Sequence, residues 1–345
     1  MVTVSFPGIG IEPFSFNKVA FTIPIGNGIE VRWYGLIIVT GIILAFIYAW
    51  YRGKHEKIVL DDLLDIAIWA IICGMIGART YYVLTKLEDY HSFYDVIAVW
   101  NGGIAIYGGI IGGAIAIFVV CYIKKLKWQK VFDMVSPGVM IGQILGRWGN
   151  FFNGEAYGAT PAESNPLYFL RMGLQQDYWS EMKYVQPTFL YESVWNLVGF
   201  IIINFTYKKK KFDGQIFLEY ITWYGFGRMF IEGLRQDSLY VGPFRISQVV
   251  GFACFVTGAV LIIINLTKAR SAKLAEGDYD SVYSKLLTGR EGRKDSGKTV
   301  DTADAENETD KTGENLNSAE DAHDAEINEQ TKTEEKGTES ESRGE

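Results

Sequence analysis

VMIGQILGRWGNFFNGEAYG, Val139 to Gly158, begins as hydrocarbon and ends as a cluster of polar groups. Val139–Leu145 is an apolar stretch. Arg147, Asn150, Asn153 and Glu155 then follow within nine positions, among glycines and aromatic rings. An arginine or glutamate at bilayer depth is costly and normally faces a cavity or a partner. The stretch therefore reads as one end of a membrane span that delivers charge to a defined level.

Six further segments have the length and apolarity of spans. A bilayer core takes about 20 apolar residues as a helix. The seven candidates are about Trp33–Tyr51, Leu63–Leu84, Ile104–Ile123, Val131–Trp148, Phe189–Tyr207, Gln215–Ile231 and Ile246–Thr267. Segments this long, this apolar and this numerous predict an all-α integral membrane protein with seven transmembrane helices. The mean hydropathy of only +0.07 reflects a second population of residues at the C-terminus. From Glu291 to Glu345 there are 18 acidic and 7 basic residues, a net of −11, against −7 for the whole chain. That stretch has no aromatic residue and too little apolar surface to offset the entropy of ordering. Residues 1–273 are expected to form the membrane domain, and 274–345 a disordered acidic tail.

Lysine and arginine set the orientation, because cytoplasmic loops carry an excess of both. Arg52, Lys54, Lys57, Lys124, Lys125, Lys127, Lys130, Lys208–Lys211, Lys268, Arg270 and Lys273 fall in one set of alternating loops. Lys18, Arg32, Lys86, Arg171, Lys183, Arg235 and Arg245 fall in the other. The 14-to-7 bias puts the N-terminus outside and the tail in the cytoplasm. Residues 150–187 then form an extracytoplasmic insertion, the main part of a small outer head. No basic n-region precedes an apolar core at the N-terminus, so no cleaved signal peptide is expected.

This orientation places the unusual polar residues at one level, in the outer half of the bilayer. The fourth segment ends there with Arg147, Asn150, Asn153 and Glu155. The sixth ends there with Arg228, Glu232 and Arg235, and the second with Arg79. The first, third and fifth begin there with Tyr34, Tyr107 and the pair Tyr191–Glu192. Arg228 and Glu232 are four apart and share a helical face, as a structural ion pair would. Several guanidinium groups converging at this depth match the geometry of phosphate, and the abundant phosphate there belongs to a phospholipid. Glycine pairs at Gly108–Gly109 and Gly112–Gly113 suit close helix crossing. Gly102, Gly103, Gly108 and Gly109 suit a site role equally well. Cys73, Cys121 and Cys254 sit in apolar segments without metal or redox spacing, and His55, His91 and His323 show no ligand spacing. No HExxH motif or Walker loop is present, so no metal site and no nucleic-acid partner are expected.

The ordered motifs "RWYGL", "GARTYYVL", "WNGGIAIYGG", "GRWGNFFNGEAYG", "QPTFLYE" and "GFGRMFIEGLRQD" together resemble the bacterial phosphatidylglycerol–prolipoprotein diacylglyceryl transferase family over nearly all of residues 1–273. The fourth motif is the most specific. The resemblance implies seven spans in the cell membrane, an outward-facing site and no cofactor. It implies transfer of a diacylglyceryl group from phosphatidylglycerol to the thiol of a lipobox cysteine in a preprolipoprotein, with glycerol phosphate released. A monomer is expected. The family's functional residues match Tyr34, Arg147, Asn150, Glu155, Gly158, Arg228 and Glu232. Many members carry histidine where this chain has Tyr107, and "HP" where it has Gln186–Pro187. The implied chemistry is direct displacement, with the thiolate attacking the glyceryl carbon that bears the phosphoester. Arg147 and Arg228 would hold the phosphate, and Asn150 and Tyr34 would orient its oxygens or the glycerol. Glu155 and Glu232 would either position the arginines or accept the thiol proton, with Tyr107 as a relay. A transporter for an anionic solute and a non-catalytic lipid-binding scaffold remain as rival readings of the same polar groups.

Overall fold

The computed structural model describes residues 1–26, 28–236 and 240–291, with side chains as far as Ser271 except at Val241. The chain divides into two units, Met1–Glu276 and Gly277–Glu345. Of the second, only helical backbone to Glu291 is described; the rest of the acidic tail, including its expected disorder, lies outside the described residues.

Four strands open the first unit: β1 (Val2–Phe6), β2 (Ile11–Phe16), β3 (Val19–Ile23) and β4 (Ile29–Arg32). Then come α1 (Trp33–Glu56), α2 (Leu60–Thr85), the short α3 (Phe93–Ile97), α4 (Ile106–Ile123) and α5 (Trp128–Asn153). β5 (Met172–Gln176) and β6 (Lys183–Val185) precede α6 (Thr188–Tyr207) and α7 (Gln215–Leu234). A hairpin of β7 (Tyr240–Val241) and β8 (Phe244–Arg245) leads into α8 (Ile246–Glu291). Seven of the helices coincide with the seven apolar segments. Four of them, over Trp33–Glu56, Ile106–Ile123, Thr188–Tyr207 and Ile246–Ser271, are long and apolar enough to cross a membrane. Large apolar side chains such as Ile42, Ile47, Ile110, Ile115, Ile201 and Ile263 are exposed along these helices. Such a surface belongs in hydrocarbon rather than water.

The chain is mostly helical, not all-α. β2, β1, β5 and β6 form an antiparallel sheet in that order, with Val2 opposite both Phe16 and Gln176. Val2, Val4, Phe6, Met172, Leu174 and Val185 bury one core with Phe189 at the head of α6. The sequence does not announce this sheet, because β1 and β5 lie 166 residues apart between Phe6 and Met172 and no local hairpin signal marks their pairing. The insertion at 150–187 supplies β5 and β6, although α5 runs on to Asn153 before it begins.

Helix packing follows the small residues. α2 packs most extensively against α4, and α1 against α5, which also meets α6 and α7. A Cβ on Gly108 would stand 2.2 Å from the Gly77 carbonyl oxygen, and one on Gly112 would stand 2.3 Å from that of Cys73. The α2–α4 crossing therefore needs glycine at Gly108 as well as Gly112, which decides between packing and a site role for Gly108. α6 and α7 are keyed differently. Trp195 and Trp223 stack with centroids 4.3 Å apart, and each indole N–H donates to the other's carbonyl, at 3.1 and 2.9 Å. The space for each ring is the missing side chain of the facing glycine, Gly227 for Trp195 and Gly199 for Trp223.

The opposite ends of the helices are tied by charge. Asp133 of α5 is fully buried and accepts from the backbone N–H groups of Gly214 (2.8 Å) and Phe217 (3.0 Å), capping α7 from a neighbouring helix. Lys210 bonds Glu56 and lies 3.4 Å from Asp133. Lys124 bonds Asp62 and Asp65 at 2.8 and 2.5 Å, and these hydrogen bonds push its pKa above the usual lysine range.

Candidate active site

α5 stays helical through Asn153, so Arg147 and Asn150 occupy one face, three residues apart. Arg147 Nη1 donates to Asn150 Oδ1 at 3.1 Å, and its Nη2 donates to Glu192 Oε1 at 2.5 Å. From α7, Arg228 Nη1 donates to the other oxygen of the same carboxylate, Glu192 Oε2, at 3.0 Å. Arg228 Nη2 lies 2.7 Å from Glu232 Oε2, the i,i+4 pair expected on one face of α7. One carboxylate in the first turns of α6 thus joins the arginines of α5 and α7. The paired tryptophans hold this register, because Trp195 lies three residues beyond Glu192 and Trp223 five before Arg228.

Glu192 is 3 % exposed and is paired with both guanidiniums, as a buried charge must be. Arginine has five N–H donors. Among the described residues, Arg147 and Arg228 each direct two of them at these partners. A guanidinium fork of this kind can meet the oxygens of a phosphate with its further N–H groups.

Beneath this cluster opens a cavity of about 900 Å³. Tyr34, Gln143, Arg147, Asn150, Arg228 and Arg235 supply its polar part. Ile38, Ile42, Phe46, Ile66, Val135 and Val139 are among the apolar residues that line the rest. The combination suits an amphiphile with an anionic head and hydrocarbon tails. Tyr34 approaches Gly149 so closely that a Cβ there would stand 2.8 Å from its ring, which fixes the tyrosine beside Arg147 and Asn150.

The remaining expected site residues are placed differently. Glu155 Oε1 accepts from Asn150 Nδ2 at 3.0 Å and Asn153 Nδ2 at 3.2 Å, and it lines a second, outer pocket. Gly158 is part of the scaffold: its N–H donates to the Gln186 carbonyl at 2.9 Å, and it bridges to Arg235. A Cβ on Gly158 would lie 2.8 Å from the Leu234 carbonyl oxygen, so glycine is required to seat the loop after α5 against the end of α7. Tyr107, at the start of α4, hydrogen-bonds Ser247 Oγ of α8 at 2.9 Å. Arg79 is buried and bonds five backbone carbonyls, those of Asp95, Val96, Ala98, Gly102 and Gly103. It braces the α2–α4 connection rather than offering charge to a ligand. Glu192 was visible in "FLYES" as an acid at the head of an apolar helix; its link to two arginines on other helices was not.

Comparison with known proteins places the chain among relatives. The family model for prolipoprotein diacylglyceryl transferase matches residues 18–264. Phosphatidylglycerol–prolipoprotein diacylglyceryl transferase of Lactobacillus delbrueckii subsp. bulgaricus is 42 % identical over 271 residues, 76 % of this chain and 96 % of the relative. The protein of that name from Listeria innocua is 39 % identical over 281 residues, 81 % of this chain and 99 % of the relative. That of Streptococcus uberis is 42 % identical over 237 residues, 68 % and 90 % of the two chains. With the family model spanning all six motifs and relatives of 39–42 % identity covering most of the chain, the chain belongs to the prolipoprotein diacylglyceryl transferase family.

Proposed function

We propose that the cavity under Arg147 and Arg228 binds phosphatidylglycerol, and that its diacylglyceryl group is transferred there to the thiol of a lipobox cysteine. The chain is a transferase acting at the first step of lipoprotein maturation. The observation that carries the site assignment is the sharing of Glu192 by the two arginines above an apolar cavity. Phosphate oxygens meet further N–H groups of Arg147 and Arg228, Asn150 and Tyr34 orient the headgroup, and the acyl chains lie against the α1–α5 wall.

The thiolate sulfur attacks the glyceryl carbon that carries the phosphoester. A C–S bond forms, the C–O bond to phosphate breaks, and glycerol phosphate leaves with the electron pair. Charge developing on the leaving oxygen is held by the arginines, which are in place beforehand. The thiol proton goes to Glu155. Glu192 and Glu232 are engaged with guanidinium groups, whereas the hydrogen-bond donors to Glu155 are the neutral amides of Asn150 and Asn153.

The seven long helices all cross the cell membrane, with the site and the N-terminal sheet outside and the C-terminal segment in the cytoplasm. The alternating lysine and arginine excess and the four strongly apolar helices support this topology. The enzyme works as a monomer, since one chain holds the whole arginine cluster. Purified protein is given phosphatidylglycerol and a lipobox peptide, and the thioether adduct is followed by mass spectrometry. Wild-type protein forms the adduct and Arg147→Ala does not. Unchanged transfer by Arg147→Ala at matched expression refutes the phosphate clamp, and binding of lipid without any adduct refutes the transfer.

A further inference from the structure

A second pocket, of about 480 Å³, opens on the outer side of the same loop. Its walls differ in kind from those of the lipid cavity. Lys18, Asn153, Glu155, Gln176, Tyr178 and Gln236 line it, offering amides, a phenol and one charge of each sign. The lining is far more polar than that of the lipid cavity. A polypeptide main chain has a complement there, because its alternating N–H and C=O groups match side-chain amides that donate and accept. The volume falls within the range of about 300–1,000 Å³ typical of ligand sites.

The walls are firm. Gly154 ends α5 in the left-handed region at φ +66°, and Gln176 Nε2 of β5 donates to its carbonyl at 2.7 Å. Val2 of the buried sheet packs directly behind it. The pocket is thus built where the sheet meets the end of α5, and this gives the missed strands a purpose beyond stability. Lys18, on the link between β2 and β3, has no carboxylate within ion-pair distance among the described residues. Its ammonium is available to carbonyl oxygens or to an acidic side chain.

Asn150 lines the lipid cavity and Glu155 lines the outer pocket, and the two are hydrogen-bonded at 3.0 Å. The bond is a seam between the two spaces. A peptide seated outside it needs only one or two extended residues, at about 3.3–3.6 Å each, to bring a cysteine to the headgroup end of the lipid. We propose that the outer pocket binds the main chain of the protein substrate just after its reacting cysteine, the polar residues that lead away from the membrane. This rests on the transferase reading, and it adds a subsite that selects for the segment beyond the lipobox.

Two arms test it. In the first, initial rates are measured with a lipobox peptide that ends at the cysteine amide and with one that continues for four polar residues. For the wild type the longer peptide has a KM at least tenfold lower. The double variant Lys18→Glu, Tyr178→Ala removes that advantage and leaves kcat and the KM for phosphatidylglycerol unchanged. Equal KM values for the two wild-type peptides overturn the proposal, as does a variant that weakens both peptides alike or weakens the lipid. The second arm needs no chemistry. A peptide with serine in place of the cysteine carries a photoreactive residue two positions later. Crosslinks to 153–157 or 176–178 support the pocket, and crosslinks found only elsewhere overturn it. Crosslinking there without any adduct from the cysteine peptide upholds the pocket and refutes the transferase reading instead.

Discussion

Replacing Glu192 by glutamine tests whether the two arginines are organised by one carboxylate. Glu192 accepts from Arg147 at 2.5 Å and from Arg228 at 3.0 Å, on separate oxygens. Glutamine keeps the shape but has one acceptor oxygen. Its NH2 must face the other guanidinium, donor against donor. At least one charge-assisted hydrogen bond is lost, about 1.5–3 kcal/mol. Glu192→Ala removes both and leaves two guanidiniums short of a counter-charge, which costs about 3–5 kcal/mol. At about 2–4 °C per kcal/mol for a domain near this size, both losses are measurable by thermal unfolding in detergent. The kinetic expectation separates two roles. If Glu192 positions the arginines, Glu192→Gln lowers kcat/KM for phosphatidylglycerol at least tenfold and leaves the peptide KM unchanged. If Glu192 instead competes with phosphate for them, the variant binds lipid more tightly. Wild-type melting with wild-type or tighter lipid binding refutes the positioning argument.

Three further predictions follow from the packing. Gly108→Ala drives a methyl group against the Gly77 carbonyl and destabilises by about 1–3 kcal/mol or more. Gly109→Ala, whose Cβ would have ordinary contacts at 3.6 Å, melts within a degree or two of the wild type. Equal melting of the two variants counts against the close α2–α4 crossing. Arg79→Lys replaces a planar fork that bonds five carbonyls with a group of three donors, leaving acceptors unmet at about 1–3 kcal/mol. Limited proteolysis between residues 86 and 105 should quicken severalfold, and unchanged cleavage contradicts the bracing role. Tyr107→Phe removes the bond to Ser247 and, with Glu155 as proton acceptor, slows transfer only a few-fold. A loss of about 10²-fold or more, the scale of general acid–base catalysis, places Tyr107 on the proton's path as a relay.

The helices were legible because the bilayer imposes a length and a composition that survive without tertiary context. The ends were legible only where chemistry marks them. α5 outran its apolar stretch, from Trp148 to Asn153, because its last turn is stabilised by contacts sequence does not display: Phe151 against Phe16 and Phe189, and Phe152 stacked on Trp33. The four-stranded sheet was illegible for the opposite reason. Its central pairing is non-local, and β1 finds β5 only because α1 to α5 return the chain to the same end of the bundle.

In the site, the legible part was what one helix can show. Arg147 with Asn150, and Arg228 with Glu232, follow from spacing alone. The same reasoning is blind to a residue whose partners are on other helices, and Glu192 is such a residue. Its place in "FLYES" marks it as an acid near the bilayer, but only the fold shows that both its oxygens are taken by arginines. Glu155 and Gly158 show the converse. Both stand in the most specific motif, yet the first faces a different pocket from Arg147, and the second seats the loop against α7. On the proposed function, a short motif carries three duties at once: holding the lipid headgroup, opening the outer pocket and fastening the loop between them. The substitutions separate these duties. Changes at Arg147 act on the lipid, changes beside Glu155 act on the peptide, and Gly158→Ala acts on folding before either substrate arrives.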